Sequence, residues 1–278
     1  MNKKIKIVIT DFDGTLANDE SQVHEEDFRA LEELGKHGIV RVIATGRNLY
    51  SVKKGLGENF PVDYVILSCG AAIVNWKTKE VIFKRDLNSE QIIRIKDIFD
   101  SDRVNYTIQK PAPDNHHFYY KVFAEGNPDF MRRLNVYKDF IQPITADLVV
   151  EEATEFLTVL NFDELEIFEM LKSKLDFVNV IRTTSPTDHQ SIWMEVFAAG
   201  VSKGSAAEWL CNHLGIPQEQ SMSIGNDYND IELLEWTRHS YVVGNAHGNL
   251  TERFNTTTSN NENGFSTAVN NHFNLGNG

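Results

Sequence analysis

Short apolar runs and amphipathic stretches alternate along the first third of this chain. Ile5-Lys6-Ile7-Val8-Ile9-Thr10 reads as a strand. Val23 to His37 places Phe28, Leu31 and Leu34 on one face at helical spacing, and Gly38 closes that helix. Ile39 to Ala44 is the next strand; a helix follows Arg47, then a strand from Val62 to Leu67. The last third returns to this rhythm: a helix from Ser202 to about His213 with Gly215 at its end, a strand at Met222–Gly225, a helix at Asp230–Trp236, a strand at Tyr241–Gly244 and a closing helix at Phe265–Phe273. The tail Asn274 to Gly278 reads as frayed. Strands alternating with helices predict an α/β core with a parallel sheet and right-handed crossovers.

The middle breaks the pattern. Helices are expected at Ser89–Phe99, Asp129–Phe140 and Leu165–Leu175, and strands at Tyr106–Gln109, Phe118–Phe123, Glu155–Asn161, Val178–Thr183 and Ile192–Phe197. Helix–strand–strand thus occurs twice around a central helix and strand, without a matching sequence repeat. This predicts an α+β domain inserted at residues 84–190 into a core made of 1–83 and 191–278.

Composition changes little in this picture. The 278 residues are 41% hydrophobic and 24% charged, an ordinary globular balance. The net charge of −13 changes more: it disfavours nucleic-acid backbones and anionic membranes as partners. An anionic small substrate then needs a local positive site or a metal ion. Cys69 and Cys211 allow one disulfide and suggest no framework. No apolar run approaches the roughly 18 residues of a membrane span, and the start lacks the apolar stretch of a secretory signal. The expectation is a soluble, reduced, cytoplasmic protein, monomer or homodimer.

Candidate chemistry gathers at strand ends. Asp11 and Asp13, in Asp11-Phe12-Asp13-Gly14-Thr15-Leu16, follow the first apolar run. Two carboxylates there are costly, and one can serve as nucleophile while the other serves as general acid and base. Gly14 lets the backbone approach a ligand; an Asp-Gly turn capping a strand is the even alternative. Ala44-Thr45-Gly46-Arg47 offers a hydroxyl and backbone N–H groups where a helix opens, a phosphate-binding arrangement; an N-cap threonine is the plainer reading. Lys203 places an ammonium at a helix start, against the helix dipole, which suggests an anion nearby. Gly225-Asn226-Asp227-Tyr228-Asn229-Asp230 clusters oxygen donors suited to a hard cation, or else forms a polar cap. Together the four segments supply what phosphoryl transfer requires: positioning and neutralisation of a spreading negative charge.

The ordered set DxDGT, (S/T)GR, SKG and G(D/N)xxND resembles the haloacid dehalogenase superfamily, and more narrowly its Cof-type phosphatases with a type IIB cap, over essentially the whole chain. The resemblance implies a Rossmann-like three-layer core with the cap inserted at 84–190, and a Mg²⁺-dependent phosphatase acting on a small phosphorylated metabolite, sugar phosphates being the default. It makes Asp11 the aspartyl-phosphate nucleophile and Asp13 the acid/base. Thr45 and Lys203 hold phosphoryl oxygens. Magnesium falls to Asp11, the Asp13 carbonyl and the fourth motif (Asn226, Asp227, Asp230). Gly14, Gly46, Arg47 and Glu195 are the expected substrate contacts; Glu195 stands in the apolar Trp193-Met194-Glu195-Val196-Phe197, and a lysine partner is its alternative role. A phosphomutase, or a non-catalytic phosphometabolite sensor, are the competing functions. Two departures stand out. Asn226 replaces the family's usual Asp ligand, and Ser68-Cys69-Gly70-Ala71 replaces the usual Asn-Gly-Ala, with Cys69 read as a small buried residue.

Overall fold

The computed structural model describes residues 4–57, 59–185, 188 and 190–273; the tail expected to fray lies outside them. The chain divides into two compact units. The first gathers the residues up to Arg47, Lys53–Phe83 and the chain from Ser202 on; the second gathers Asn48–Val52 and Lys84–Val201.

An eight-stranded sheet forms the first unit. Its spatial order is Asn255–Thr256, His239–Val242, Ser221–Gly225, Ile7–Thr10, Val40–Ala44, Tyr64–Leu67, Ala72–Asn75 and Val81–Lys84. Neighbours pair in parallel as far as Tyr64–Leu67, which pairs antiparallel with Ala72–Asn75. Ile7–Thr10 runs through the middle with all four residues buried, as a strand covered on both faces requires. On one face Ile7 and Ile9 join Val42, Ala44 and Ile66 under Ala206, Ala207 and Leu210 of the Lys203–Leu214 helix. That helix starts on a reciprocal cap between Ser202 and Ser205 and stops at Gly215, whose φ of 67° is left-handed. The Glu25–Lys36 and Gly264–Phe273 helices are joined by Asp27, buried, whose Oδ1 accepts the Ser266 amide.

Register is what gathers the strand ends. Thr10 stands level with Ile224 on one side and Ile43 on the other. The chain therefore leaves the sheet at Asp11 and, one residue further along on either side, at Asn226 and at Thr45. An open α/β sheet places its sites beyond the carboxyl ends of its strands.

The second unit is built on a six-stranded sheet in the order Asn179–Thr184, Ile192–Phe197, Glu155–Leu160, Tyr106–Gln109, Phe118–Lys121 and Ile141–Pro143. All pairs are antiparallel except the last, which is parallel. The helices are Ser89–Ser101, Pro128–Val136 and Leu165–Lys174, and a short ladder joins Leu87–Asn88 to Glu152–Ala153.

Several expectations need correction. Ile192–Phe197 pairs on both sides within the second sheet, so this unit runs to Val201 and not to 190. The helix expected at Asp129–Phe140 ends at Val136, and turns lead into Ile141–Pro143. The strands Ala72–Asn75 and Val81–Lys84 were not foreseen; four-residue edge strands carry too little periodicity to be told from a helical turn. Cys69 and Cys211 are both buried free thiols. Among the described residues no helix is long and apolar enough to cross a membrane.

Candidate active site

The site is built at those strand ends, within the first unit. Asp11 follows Thr10 directly, and its amide still donates to the Ile224 carbonyl, so the ladder holds it as if it were a strand residue. Its carboxylate is 5% exposed, and its Oδ1 lies 2.7 Å from Lys203 Nζ. Lys203 has no exposed surface at all. Its ammonium also donates to Asp230 Oδ1 at 2.7 Å and to Asn229 Oδ1 at 3.2 Å. A buried lysine is tolerated only when its charge is compensated, and here three oxygens surround it.

These charges act on one another. Burial pushes the Asp11 carboxyl up to about 7 against the opposing pull of Lys203, and the nearby Asp230 and Asp13 carboxylates push the same way. For Lys203 burial works in the opposite sense, but Asp11 and Asp230 outweigh it and hold the ammonium above its usual value. Lys203 therefore stays charged.

Asp13 is held differently. Arg47 Nε donates to Asp13 Oδ2 at 2.8 Å and Nη2 donates to Oδ1, a bidentate fork. The guanidinium also lies over the Phe12 ring, 4.8 Å from its centre. Between the two, Gly14 turns with φ of 72°, and a Cβ there would meet Asn226 Nδ2 at 2.5 Å. Glycine is thus required both for the turn and for the approach of Asn226. Asn245 Nδ2 accepts no such freedom: it donates to the Gly14 carbonyl at 2.8 Å, while its Oδ1 accepts the Asn260 amide.

Thr45 is fully buried, and its Oγ1 accepts the Arg47 amide at 3.1 Å. The following helix opens only at Leu49, with Asn48 Oδ1 accepting the Ser51 amide. Thr45 is therefore neither the cap nor at the helix start that the sequence reading gave it. Gly46 links Thr45 to Arg47.

The fourth segment divides its labour. Asp230, fully buried, gives Oδ1 to Lys203 and Oδ2 to the amides of Asn226 and Asp227. Asp227 caps the turn Tyr228–Asp230, accepting the Tyr228 amide at 2.7 Å, and faces His247 Nε2 at 3.2 Å. Asp230 thus has both oxygens committed to protein donors, whereas Asp227 meets Tyr228 and His247 through Oδ1. Among the described residues no three His, Cys, Asp or Glu side chains are grouped to hold a metal ion. The candidate donors for an ion are the Asp11 and Asp227 carboxylates, the Asp13 main-chain carbonyl and the Asn226 side chain, whose amide stands beside Gly14. An all-oxygen set next to an excess of carboxylate charge fits a hard divalent cation.

Glu195 belongs to the second unit. It lies on Ile192–Phe197 opposite Leu157 and Ile181, and is 4% exposed. Its charge, with burial, pushes the carboxyl of Glu155 well above the usual range.

Sequence reasoning passed over Asn229, which bonds Lys203, and gave Asn245 no more than a supporting role. Asn229 carried a signal in its position one residue before Asp230, but a polar turn residue and a site residue look alike until the fold is known.

The chain resembles known proteins in sequence and in fold. Residues 8–269 match the model of the haloacid dehalogenase-like hydrolases. The chain is 29% identical to the putative phosphatase YxeH of Bacillus subtilis, over 95% of this chain and 97% of that one. It superposes on BT1666, a phosphatase of the same superfamily from Bacteroides thetaiotaomicron, with a TM-score of 0.80 at 19% identity, covering 98% and 96% of the two chains. The subclass IIB sugar phosphatase BT4131 gives a TM-score of 0.77 at 21% identity, covering 97% and 99%. The chain therefore belongs to the haloacid dehalogenase-like hydrolases.

Proposed function

We propose that this hydrolase is a phosphatase of small phosphomonoesters, with sugar phosphates as the substrate class, Mg²⁺ as its cofactor and Asp11 as its nucleophile. The observation that carries the reading is the unlike treatment of two carboxylates on one loop: Asp11 is buried against Lys203, and Asp13 is more open and clasped by Arg47. Sugar phosphate is the class of one solved relative by fold, BT4131.

In this reading an Asp11 oxygen attacks phosphorus. The bond from phosphorus to the ester oxygen breaks, and that oxygen leaves with a proton from Asp13. Asp13 then takes a proton from water, the hydroxide attacks phosphorus, and the bond to Asp11 breaks to release phosphate. Lys203 and Thr45 hold the phosphoryl oxygens, and Lys203 keeps Asp11 in place from the opposite side. Arg47 holds Asp13 as a carboxylate through its fork, and one of the two bonds opens when Asp13 carries the proton. Asp11, the Asp13 carbonyl, Asn226 and Asp227 would hold Mg²⁺, which when bound neutralises charge on the phosphoryl group. Asp230 positions Lys203 and the Asn226–Asp227 backbone. Glu195 is assigned to selecting the ester group.

The test is phosphate release from an aryl phosphate and a panel of sugar phosphates, with Mg²⁺ and with a chelator. Asp11→Asn is expected to abolish turnover, a loss of at least about 10³-fold, the scale for removing an essential nucleophile, while far-UV circular dichroism is unchanged. Full activity in that variant refutes the nucleophile; equal activity in chelator refutes the metal.

A further inference from the structure

We propose that Cys69 is a positioning residue of this reaction, acting through Asn229 on Lys203; the proposal rests on the reading of the first unit as a phosphoryl-transfer site. The Lys203 ammonium has three N–H donors and no acceptor. All three are used, on Asp11 Oδ1, Asp230 Oδ1 and Asn229 Oδ1. Because the ammonium only donates, it fixes which end of the Asn229 amide faces it. The oxygen turns to Lys203, and Nδ2 points away and donates to Cys69 Sγ at 3.5 Å. The thiol thus holds the back of the amide whose front holds Lys203.

The thiol is itself firmly placed. Ser68, Cys69 and Gly70 have φ of 45°, 51° and 111° in succession, a left-handed bend that is costly for residues with side chains. The bend is tied to the second motif: the Ser68 amide donates to the Arg47 carbonyl and the Cys69 amide to the Thr45 carbonyl, each at 3.1 Å. On its other side it presses on the start of the Lys203 helix, where a Cβ on Gly70 would stand 2.1 Å from the Ser202 carbonyl. Cys69 is fully buried in this wedge. Its sulfur therefore reads the spacing between Thr45 and Lys203.

Two of the three Lys203 partners are carboxylates held by charge, and the third is a neutral amide at a longer distance. The amide is thus the partner whose placement depends most on what holds its far end. A thiol is a weak acceptor, but it is enough to align Asn229, and any acceptor in its place would do the same.

Five variants test this on the full chain with an aryl phosphate and Mg²⁺. Cys69→Ala is expected to lower kcat roughly five- to tenfold, the scale of one hydrogen bond. KM should stay within about twofold, because Lys203 keeps its charge and both carboxylates. Cys69→Asn, which tolerates the left-handed backbone and returns an acceptor, is expected to recover kcat. Cys69→Gly relieves the backbone and is expected to raise Tm while still lowering kcat, so stability and turnover part company; a merely structural cysteine would move them together. In an Asn229→Ala background, Cys69→Ala is expected to have no further effect. The proposal is overturned by a Cys69→Ala enzyme with wild-type kcat, by kcat that follows Tm across the variants, or by additive losses in the double variant. If the wild-type protein releases no phosphate, the functional reading fails and this proposal with it; if it turns over normally and only the cysteine variants disagree, the functional reading stands alone.

Discussion

At the scale of residues, the site is organised by one buried cation. Lys203 makes sense only with its carboxylates, and of these Asp230 carries the larger structural share. It holds the ammonium with one oxygen and two backbone amides with the other. Asp230→Asn keeps the shape but removes the charge, leaving Lys203 with Asp11 as its one charged contact. Breaking a buried ion pair by neutralising one partner costs about 3–5 kcal/mol, and the amide group can accept at only one of its two ends. The expected outcome is a large fall in Tm together with loss of phosphate release, whereas Asp11→Asn should lose turnover at little cost in Tm, since it removes a carboxylate that burial disfavours. Thermal unfolding of the two variants side by side decides this; equal destabilisation would show that the two carboxylates are equivalent. The sequence made Asp11 and Asp13 visible because charge beside an apolar run is conspicuous, and Lys203 because an ammonium at a helix start opposes the dipole. It could not distinguish Asp227 from Asp230. Both stand in one polar turn, and what separates them is a lysine 27 positions from Asp230, a contact that comes about only when the Lys203–Leu214 helix packs beside that turn.

At the scale of elements, two strands of the second unit were legible to the residue. Tyr106–Gln109 and Ile192–Phe197 occur where their patterns place them. The edge strands Ala72–Asn75 and Val81–Lys84 were not legible, since their identity depends on a neighbour and not on their own four residues. The Glu155–Leu160 strand shows a further limit. All six residues are buried, a charged one among them. Burial, and the charge of Glu195 on the neighbouring strand, raise the Glu155 carboxyl well above 4.5 against the opposing pull of Arg133. Its Oε2 has no hydrogen-bond partner. A carboxyl raised in the folded state binds a proton more tightly there than in the unfolded chain. Its contribution to stability is therefore full below 4.5, and declines as pH rises from 4.5 towards the folded value. Tm of the wild-type protein is expected to fall over that window, and Glu155→Gln, neutral throughout, should flatten the decline. At pH 8 the variant should melt higher, by about 2–4 °C for each kcal/mol relieved. Parallel pH–Tm curves for the two proteins would show that Glu155 is not the group responsible.

At the scale of the whole molecule, the alternating pattern divided the chain into two units, while the point of return to the first was displaced by one strand because pattern reports a strand without naming its sheet. Net charge, by contrast, is read from sequence directly and has consequences that no local geometry removes. The chain carries −13, and the proposed substrates are dianions. Both cations at the site, Lys203 and Arg47, are already paired with carboxylates, so little positive field is left over to draw an anion in. At about 0.01 M ionic strength the Debye length is roughly 30 Å and the substrate meets the charge of the whole protein; at about 0.1 M it is roughly 10 Å and the site acts alone. Salt should thus assist association here, the reverse of an electrostatically steered enzyme. With Mg²⁺ held saturating, kcat/KM for a sugar phosphate is expected to rise by about twofold or more between these ionic strengths, through KM and with kcat unchanged. The neutral limit is set by adding a viscogen in place of salt, which lowers only the diffusional component. A kcat/KM that falls with salt would mean that the bound metal leaves a net positive field reaching beyond the site, strong enough to outweigh the acidic surface around it.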